Sequence, residues 1–173
     1  AVFLYEQLVR DHDVSDFSHD CGKDLIPFMV PRYRVFAHRF LNSCVNMASG
    51  VPYWRDVGTV DAYWEANIDL TTVIPDLNLY DENWPIWTHQ EQLPPAKFVF
   101  EDKERRGQAL DSSVSGGCII SGATVRRSLL FSNVKVNSFS TVEDSVILPN
   151  VVIGRNARLR RVIVEKQCVI PEG

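Results

Sequence analysis

Asp56 sits in the run Pro52-Tyr53-Trp54-Arg55-Asp56-Val57-Gly58-Thr59, the stretch whose residue types best suit chemistry. Pro52 to Asp56 reads as a short strand, Val57 and Gly58 as a sharp turn, and Thr59 as the cap of a following helix. That arrangement sets a carboxylate at a strand end and a helix mouth, facing a cleft. Such a carboxylate suits Mg²⁺, which takes oxygen ligands and needs only one or two carboxylates beside waters and substrate phosphates. The competing reading is an Asp paired with its neighbour Arg55 on a surface turn, since most aspartates are solvated. Asp20, ahead of Gly22-Lys23-Asp24-Leu25, is placed to cap a helix. Cys21, Cys44, Cys118 and Cys168 lie far apart, with no Cys-x-x-Cys pair and no His at ligand spacing, so neither a disulfide framework nor a zinc site is expected. The glycines are isolated or fall in Ser115-Gly116-Gly117, and none builds a Gly-rich phosphate loop.

The elements that must position these residues fall into three stretches. Phe3 to Val9 is expected to begin extended and pass into a short helix, followed by a polar loop from Asp11 to Ser18. Gly22 to Val30 is expected to be helical, with Leu25, Ile26, Met29 and Val30 on one face and Pro31 as its stop. Arg34 to Phe40 alternates as a strand would, Asn42 to Pro52 connects, and Val60, Trp64 and Ile68, with Tyr63 and Leu70, give a packing helix that opens at Thr59 or Val60. From Val73 to Val99 the periodicity fades and prolines recur, so the chain reads as a linker with Trp84, Ile86 and Trp87 as anchors. Glu101 to Gly107 reads as a charged, solvated loop.

After Asp111 the pattern changes. In rows of seventeen beginning at Ser112, Leu129, Val146 and Ile163, apolar residues stack: Val134 over Val151 and Cys168; Ile119 over Val136, Ile153 and Ile170; Val125 over Val142 and Leu159. Gly116, Asn133, Asn150 and Gln167 form a polar turn column. A fixed period with short β-branched runs and Asn/Gly corners is the signature of a parallel β-helix, and about seventeen residues suit a three-sided rung. The expected organisation is residues 1–72 as part of an α/β domain, 73–110 as linker and 111–173 as β-helix, whose incomplete last rung leaves an edge to be covered.

The 173 residues carry a net charge of -4 and no Lys/Arg run, which leaves no basic footprint for nucleic acid. No apolar stretch approaches a membrane span, and the first residues have no basic, cleavable leader pattern, so a cytoplasmic protein is expected.

Trp54-Arg55-Asp56-Val57-Gly58-Thr59 with Tyr63-Trp64 and Asn67 resembles the signature of bacterial ADP-glucose pyrophosphorylases (glucose-1-phosphate adenylyltransferases). His19-Asp20 with Gly22-Lys23-Asp24-Leu25-Ile26-Pro27, Asn83-Trp84-Pro85-Ile86, Pro94-Pro95-Ala96-Lys97-Phe98-Val99 and Val114-Ser115-Gly116-Gly117-Cys118 agree with it in the family's order. The resemblance implies the end of a Rossmann-like nucleotidyltransferase domain followed by a left-handed β-helix, and transfer between ATP and glucose 1-phosphate that yields ADP-glucose and pyrophosphate for glycogen synthesis. It implies Asp56 as one of two Mg²⁺-holding aspartates, and Asp20, Cys21 and Trp54 in the glucosyl pocket. Cys21 stands where the family usually has Phe. It also implies anionic effectors where coil and catalytic domain meet: Ser115 and Gly116 as backbone donors, and Asn150 and Lys166 in an AMP pocket where relatives carry Glu and Arg. Lys166 keeps the charge without the bidentate fork.

The family's Gly-Gly-x-Gly-Thr-Arg loop and Glu-Lys-Pro segment are absent, so the chain is expected to be an internal piece, inactive alone, of an enzyme that assembles as a homotetramer. Two alternatives are a non-catalytic regulatory or scaffold subunit of the same family and a hexapeptide-repeat acyltransferase. The latter would draw on a His near the coil, yet His12, His19, His38 and His89 all precede the repeat.

Overall fold

The computed structural model describes residues 2–15, 18–44, 50–86, 90–102 and 104–173. Trp87 and His89, and residues 45–49 of the expected connector, lie outside them. The chain divides into two units, Ala1–Asn42 and Ser43–Gly173.

In the first unit α1 spans Val2–His12, so the stretch expected to start extended is helical from its beginning. Leu, Glu and Gln are good helix formers, and they prevail over the β-branched and aromatic start. Asp20 caps the next helix as expected, but the chain first makes a wide π-type turn over Cys21–Leu25 before α2, Ile26–Met29. The guanidinium groups of Arg10 and Arg32 lie 3.3 and 4.1 Å from the centre of the Phe28 ring and bring α1 and the end of α2 together. Arg34 to Arg39 is not a strand, and a 3₁₀ turn follows over Phe40–Asn42. Alternation supplies two faces, but a strand also needs a neighbour to take its backbone hydrogen bonds, and no described strand pairs here.

The second unit holds α3, Val60–Asp69, and a parallel β-solenoid with three sheets. One sheet stacks β1 (Lys97–Val99), β4 (Ile119–Ser121), β7 (Lys135–Val136), β10 (Val152–Ile153) and β13 (Val169–Ile170). A second stacks β2 (Gln108–Leu110), β5 (Thr124–Arg126), β8 (Thr141–Glu143) and β11 (Arg158–Arg160). The third stacks β3 (Ser113–Val114), β6 (Leu129–Leu130), β9 (Val146–Ile147) and β12 (Ile163–Val164). The core runs up the middle, with Ile120, Val125, Leu130, Val136, Val142, Ile147 and Ile153 almost wholly excluded from solvent.

The period holds from the second rung on: Lys135 pairs with Val152 and Val152 with Val169, seventeen positions each. The rung before it is shorter. Ile119 pairs with Lys135, sixteen positions on, so Ile120 rather than Ile119 heads the inward column of Val136, Ile153 and Ile170. The same shift puts Gly117 (φ 76°), not Gly116, above Asn133, Asn150 and Gln167, whose φ values are 60°, 63° and 62°. This left-handed corner is one that Gly and Asn adopt most cheaply. The missing residue falls between Ser121 and Gly122, because Gly122, Phe139 and Asn156 again form a left-handed column at φ 63°, 66° and 59°. A third column, Asp111, Arg127, Asp144 and Arg161, completes a three-cornered rung.

The coil also starts earlier than expected. β1 and β2 belong to it, although both fall in the stretch expected to be linker. An excursion from Phe100 to Gly107, closed by an antiparallel bridge between Glu101 and Arg106, separates the two strands and hides them from a fixed period.

Candidate functional site

Asp56 sits in chain without regular secondary structure, and the expected strand does not form between Val51 and Gly58. A short-range hydrogen bond shapes the turn instead: Asp56 Oδ1 accepts from the Gly58 backbone N–H at 2.9 Å. Thr59 then caps α3, its Oγ1 accepting from the Ala62 N–H at 3.2 Å. The carboxylate therefore stands at the mouth of α3, with one oxygen used by the turn. Arg55 does not pair with it. Its Nη2 lies 2.8 Å from Asp69 at the far end of α3 and 3.6 Å from Asp76 beyond it. The loop is thus tied to both ends of one helix, and Asp56 is left exposed, with no cationic side chain paired to it among the described residues.

Trp54 is 70% exposed and walls a shallow cavity of about 340 Å³ shared with Val51, Pro52, Tyr53, Arg55 and Asp76. Asp20, in the other unit, accepts at Oδ1 from the N–H groups of Gly22 and Lys23 at 2.7 and 2.8 Å, and Cys21 is exposed beside it. Capping therefore occupies one oxygen of Asp20, and the other has no donor among the described residues. Asp24 lies below the usual carboxylate range because Ser18 donates to it at 2.6 Å.

The four residues of the expected effector site run along one corner of the coil. Ser115 and Gly116 adjoin Gly117 at its start, Asn150 stands two rungs on and Lys166 next to Gln167 three rungs on, about 10 and 14 Å away at the strand spacing. The turn is less open than its composition suggests. The Ser115 N–H donates to Leu130 O at 2.9 Å and the Gly117 N–H to Pro94 O at 2.6 Å, so only the Gly116 amide of the three lacks a backbone acceptor among the described residues. Ser115 and Gly116 line a cavity of about 640 Å³ with Glu91, Leu93, Phe131 and Pro149, and Glu91 brings a negative charge to it. Asn150 accepts from Asn133 Nδ2 at 3.3 Å in a corner ladder, and Lys166 is exposed.

No three His, Cys, Asp or Glu side chains among the described residues gather closely enough to hold a metal by themselves. Asp56 can serve a hard cation as one ligand, with its free oxygen, and the other ligands must come from elsewhere. Buried Cys118 contacts Phe131 O at 3.0 Å, and burial pushes its thiol up, away from reactivity. No helix among the described residues is long and apolar enough to cross a membrane.

Two features escaped the sequence reading. One is the Arg55 clasp on Asp69 and Asp76. The other is Trp64, whose indole N–H donates to Asp144 O at 2.7 Å across to the coil. A Trp on a packing face always carries a polar edge that needs a partner, and that was the only available signal.

Residues 2–73 match a family model described as nucleotidyl transferase, and residues 94–173 match one described as GlmU-like, C-terminal hexapeptide. The chain is 77% identical over 173 residues to a glucose-1-phosphate adenylyltransferase of Nitrosospira multiformis, covering all of this chain and 41% of that protein. It is 78% identical over 174 residues to one of Nitrosomonas europaea, with 100% and 40% covered, and 66% identical over 173 residues to one of Methylobacillus flagellatus, again with 100% and 40%. The chain thus spans about two fifths of the length of these relatives.

Proposed function

We propose that the chain is part of a glucose-1-phosphate adenylyltransferase, and that the full-length protein joins ATP and glucose 1-phosphate into ADP-glucose and pyrophosphate, in the bacterial cytoplasm, for glycogen synthesis. The observation that carries the reading is the Asp56–Gly58 turn at the mouth of the Thr59-capped helix. It leaves one carboxylate oxygen without a partner among the described residues, two positions along the chain from exposed Trp54.

In the reaction, a phosphate oxygen of glucose 1-phosphate attacks the α-phosphorus of ATP in line. The bond from that phosphorus to the bridging oxygen breaks, and pyrophosphate leaves with the electron pair. No proton has to be abstracted by the protein, so the work of the chain is positioning and charge management. Asp56 is the residue here that would hold Mg²⁺, which when bound neutralises developing charge on the phosphates. On the resemblance, Trp54 is assigned a role as a wall for a sugar ring; in the other unit, Asp20 is assigned a role as acceptor from a sugar hydroxyl through its uncapped oxygen, and Cys21 stands where the family has a bulkier side chain. Ser115, Gly116, Asn150 and Lys166 are assigned to effector binding along the coil corner, with the Gly116 amide and, three rungs on, Lys166 as donors to separate anionic groups. The assembly is a homotetramer built through the coil.

The assay is pyrophosphate release by the full-length protein. We expect release that requires ATP, glucose 1-phosphate and Mg²⁺ together. Release from other nucleotide and sugar phosphate pairs but not this one, or acyl transfer from acyl-CoA, would overturn the reading.

A further inference from the structure

The outer side of the third sheet carries an apolar stripe: Leu129, Val146 and Ile163 occupy the outward position of β6, β9 and β12, while Leu130, Ile147 and Val164 point into the core. Outward residues of a coil normally meet water, yet Leu129 is 7% exposed and Val146 is not exposed at all. Over β9 the cover is α3, which packs there and whose Val60, Asp61 and Trp64 enclose a small cleft with Arg161 and Ile163.

At that contact the polar and apolar terms coincide. The Trp64 indole N–H reaches Asp144 O at 2.7 Å, and the Arg161 guanidinium lies 5.1 Å from the centre of the Trp64 ring. Asp144 and Arg161 are successive members of one left-handed corner column, at φ 47° and 54°, and Arg127 is the member before them. Arg127 grips the Asp144 carboxylate with two hydrogen bonds, of 2.6 and 3.1 Å. The seat that receives the indole is therefore a braced corner rather than a free loop. On the other side, the same helix is tied to the Asp56 loop at both ends, by Thr59 to Ala62 and by Arg55 to Asp69.

We propose that Trp64 is a positioning residue for the transfer reaction: seated on Asp144 and Arg161, it makes α3 a strut that fixes the Asp56 loop to the second and third rungs of the coil. This rests on the reading of Asp56 as the loop's functional carboxylate. Trp64 touches no reacting group. It acts by denying the helix, and with it the Trp54 to Thr59 loop, the freedom to shift on the coil. A covered apolar stripe alone would hold the helix against the sheet but would let it slide; the directional N–H···O=C bond fixes its place.

The test uses the full-length enzyme with Trp64→Phe, which keeps a ring for Arg161 and loses the donor, and Arg127→Gln, which keeps Trp64 and unbraces its seat. Trp64→Phe is expected to lower kcat by roughly five- to tenfold, the reach of one hydrogen bond, with KM for both substrates within about twofold. Amide hydrogen exchange over Gly58 to Trp64 is expected to quicken by about tenfold while β9 and β12 keep their protection. Arg127→Gln should give the same pattern more weakly, and the double variant should cost less than the product of the two, because both act through Asp144. Unchanged exchange over Gly58 to Trp64 in Trp64→Phe, or quickened exchange at full kcat, would overturn the proposal. Asp56→Asn is run beside them. If it turns over normally, the reading of the loop fails and the catalytic part of the inference falls with it, whereas a slow Asp56→Asn with an unaltered Trp64→Phe defeats the strut alone.

Discussion

The residues that matter here are held by short, local hydrogen bonds more than by burial. Asp56 is shaped by Gly58, Asp20 by Gly22 and Lys23, and Thr59 by Ala62. Each is a side chain answering a backbone N–H two or three positions on, which is why these features could be read from the order of residues alone. Long-range partners could not. Arg55 reaches Asp69 and Asp76 rather than its sequence neighbour Asp56, because folding of α3 brings those carboxylates to it. Asp144 belongs to the same class, with Arg127 seventeen positions before it. The Arg127 guanidinium, first by hydrogen bonding and then by charge, holds the Asp144 carboxyl below the usual range. A carboxyl whose folded value is depressed stabilises the fold fully above its unfolded value, about 3.9, and loses that contribution as pH falls through the lower folded value. Asp144→Asn is therefore expected to flatten the acid limb of the thermal midpoint, with most of the difference from wild type present above about pH 5 and gone below the folded value. A difference that instead grew with acidity would contradict the pairing.

Among the elements, the helix cap and the coil were legible and the coil's first rung was not. Thr59 and the 3.6-residue spacing of Val60, Trp64 and Ile68 announced α3, and rows of seventeen announced the sheets. The register of the leading row slipped by one because a single corner residue is missing between Ser121 and Gly122, and no column inside that row reveals it. The alternating Arg34 to Arg39 run failed for a different reason: pattern sets which face is apolar, but strands exist only where a neighbour completes the ladder. The excursion from Phe100 to Gly107 returns to the coil at Gly107, where an added methyl would lie 2.5 Å from Val99 O and also press on Ile120 O. Gly107→Ala is expected to cost about 1–3 kcal/mol through that overpacking. Because stacked rungs answer mainly to their neighbours, the loss should appear as faster exchange in β1 and β4 with β10 and β13 unaffected. Uniform loosening of all rungs would contradict a nearest-neighbour coil.

At the scale of the molecule, the second unit joins the Asp56 loop, a helix and a coil in one continuous path. Asp56 leads to Thr59, Thr59 to α3, and α3 through Trp64 to Asp144. The corner of the coil therefore carries the helix that carries the loop. Similarity to adenylyltransferases along the whole of this chain, though over only about two fifths of their length, was foreshadowed by the five motif blocks, whereas the bond between α3 and the coil was not, because it joins residues eighty positions apart. The most direct measurement of the central claim is the turnover of Asp56→Asn in the full-length enzyme, with saturating ATP, glucose 1-phosphate and Mg²⁺ and the thermal midpoint recorded alongside. The account predicts that kcat falls by about a hundredfold or more, as for loss of a group that acts on transition-state charge, while the midpoint stays at the wild-type value. Turnover within about twofold of wild type would contradict it, and would return Asp56 to the role of a surface turn residue.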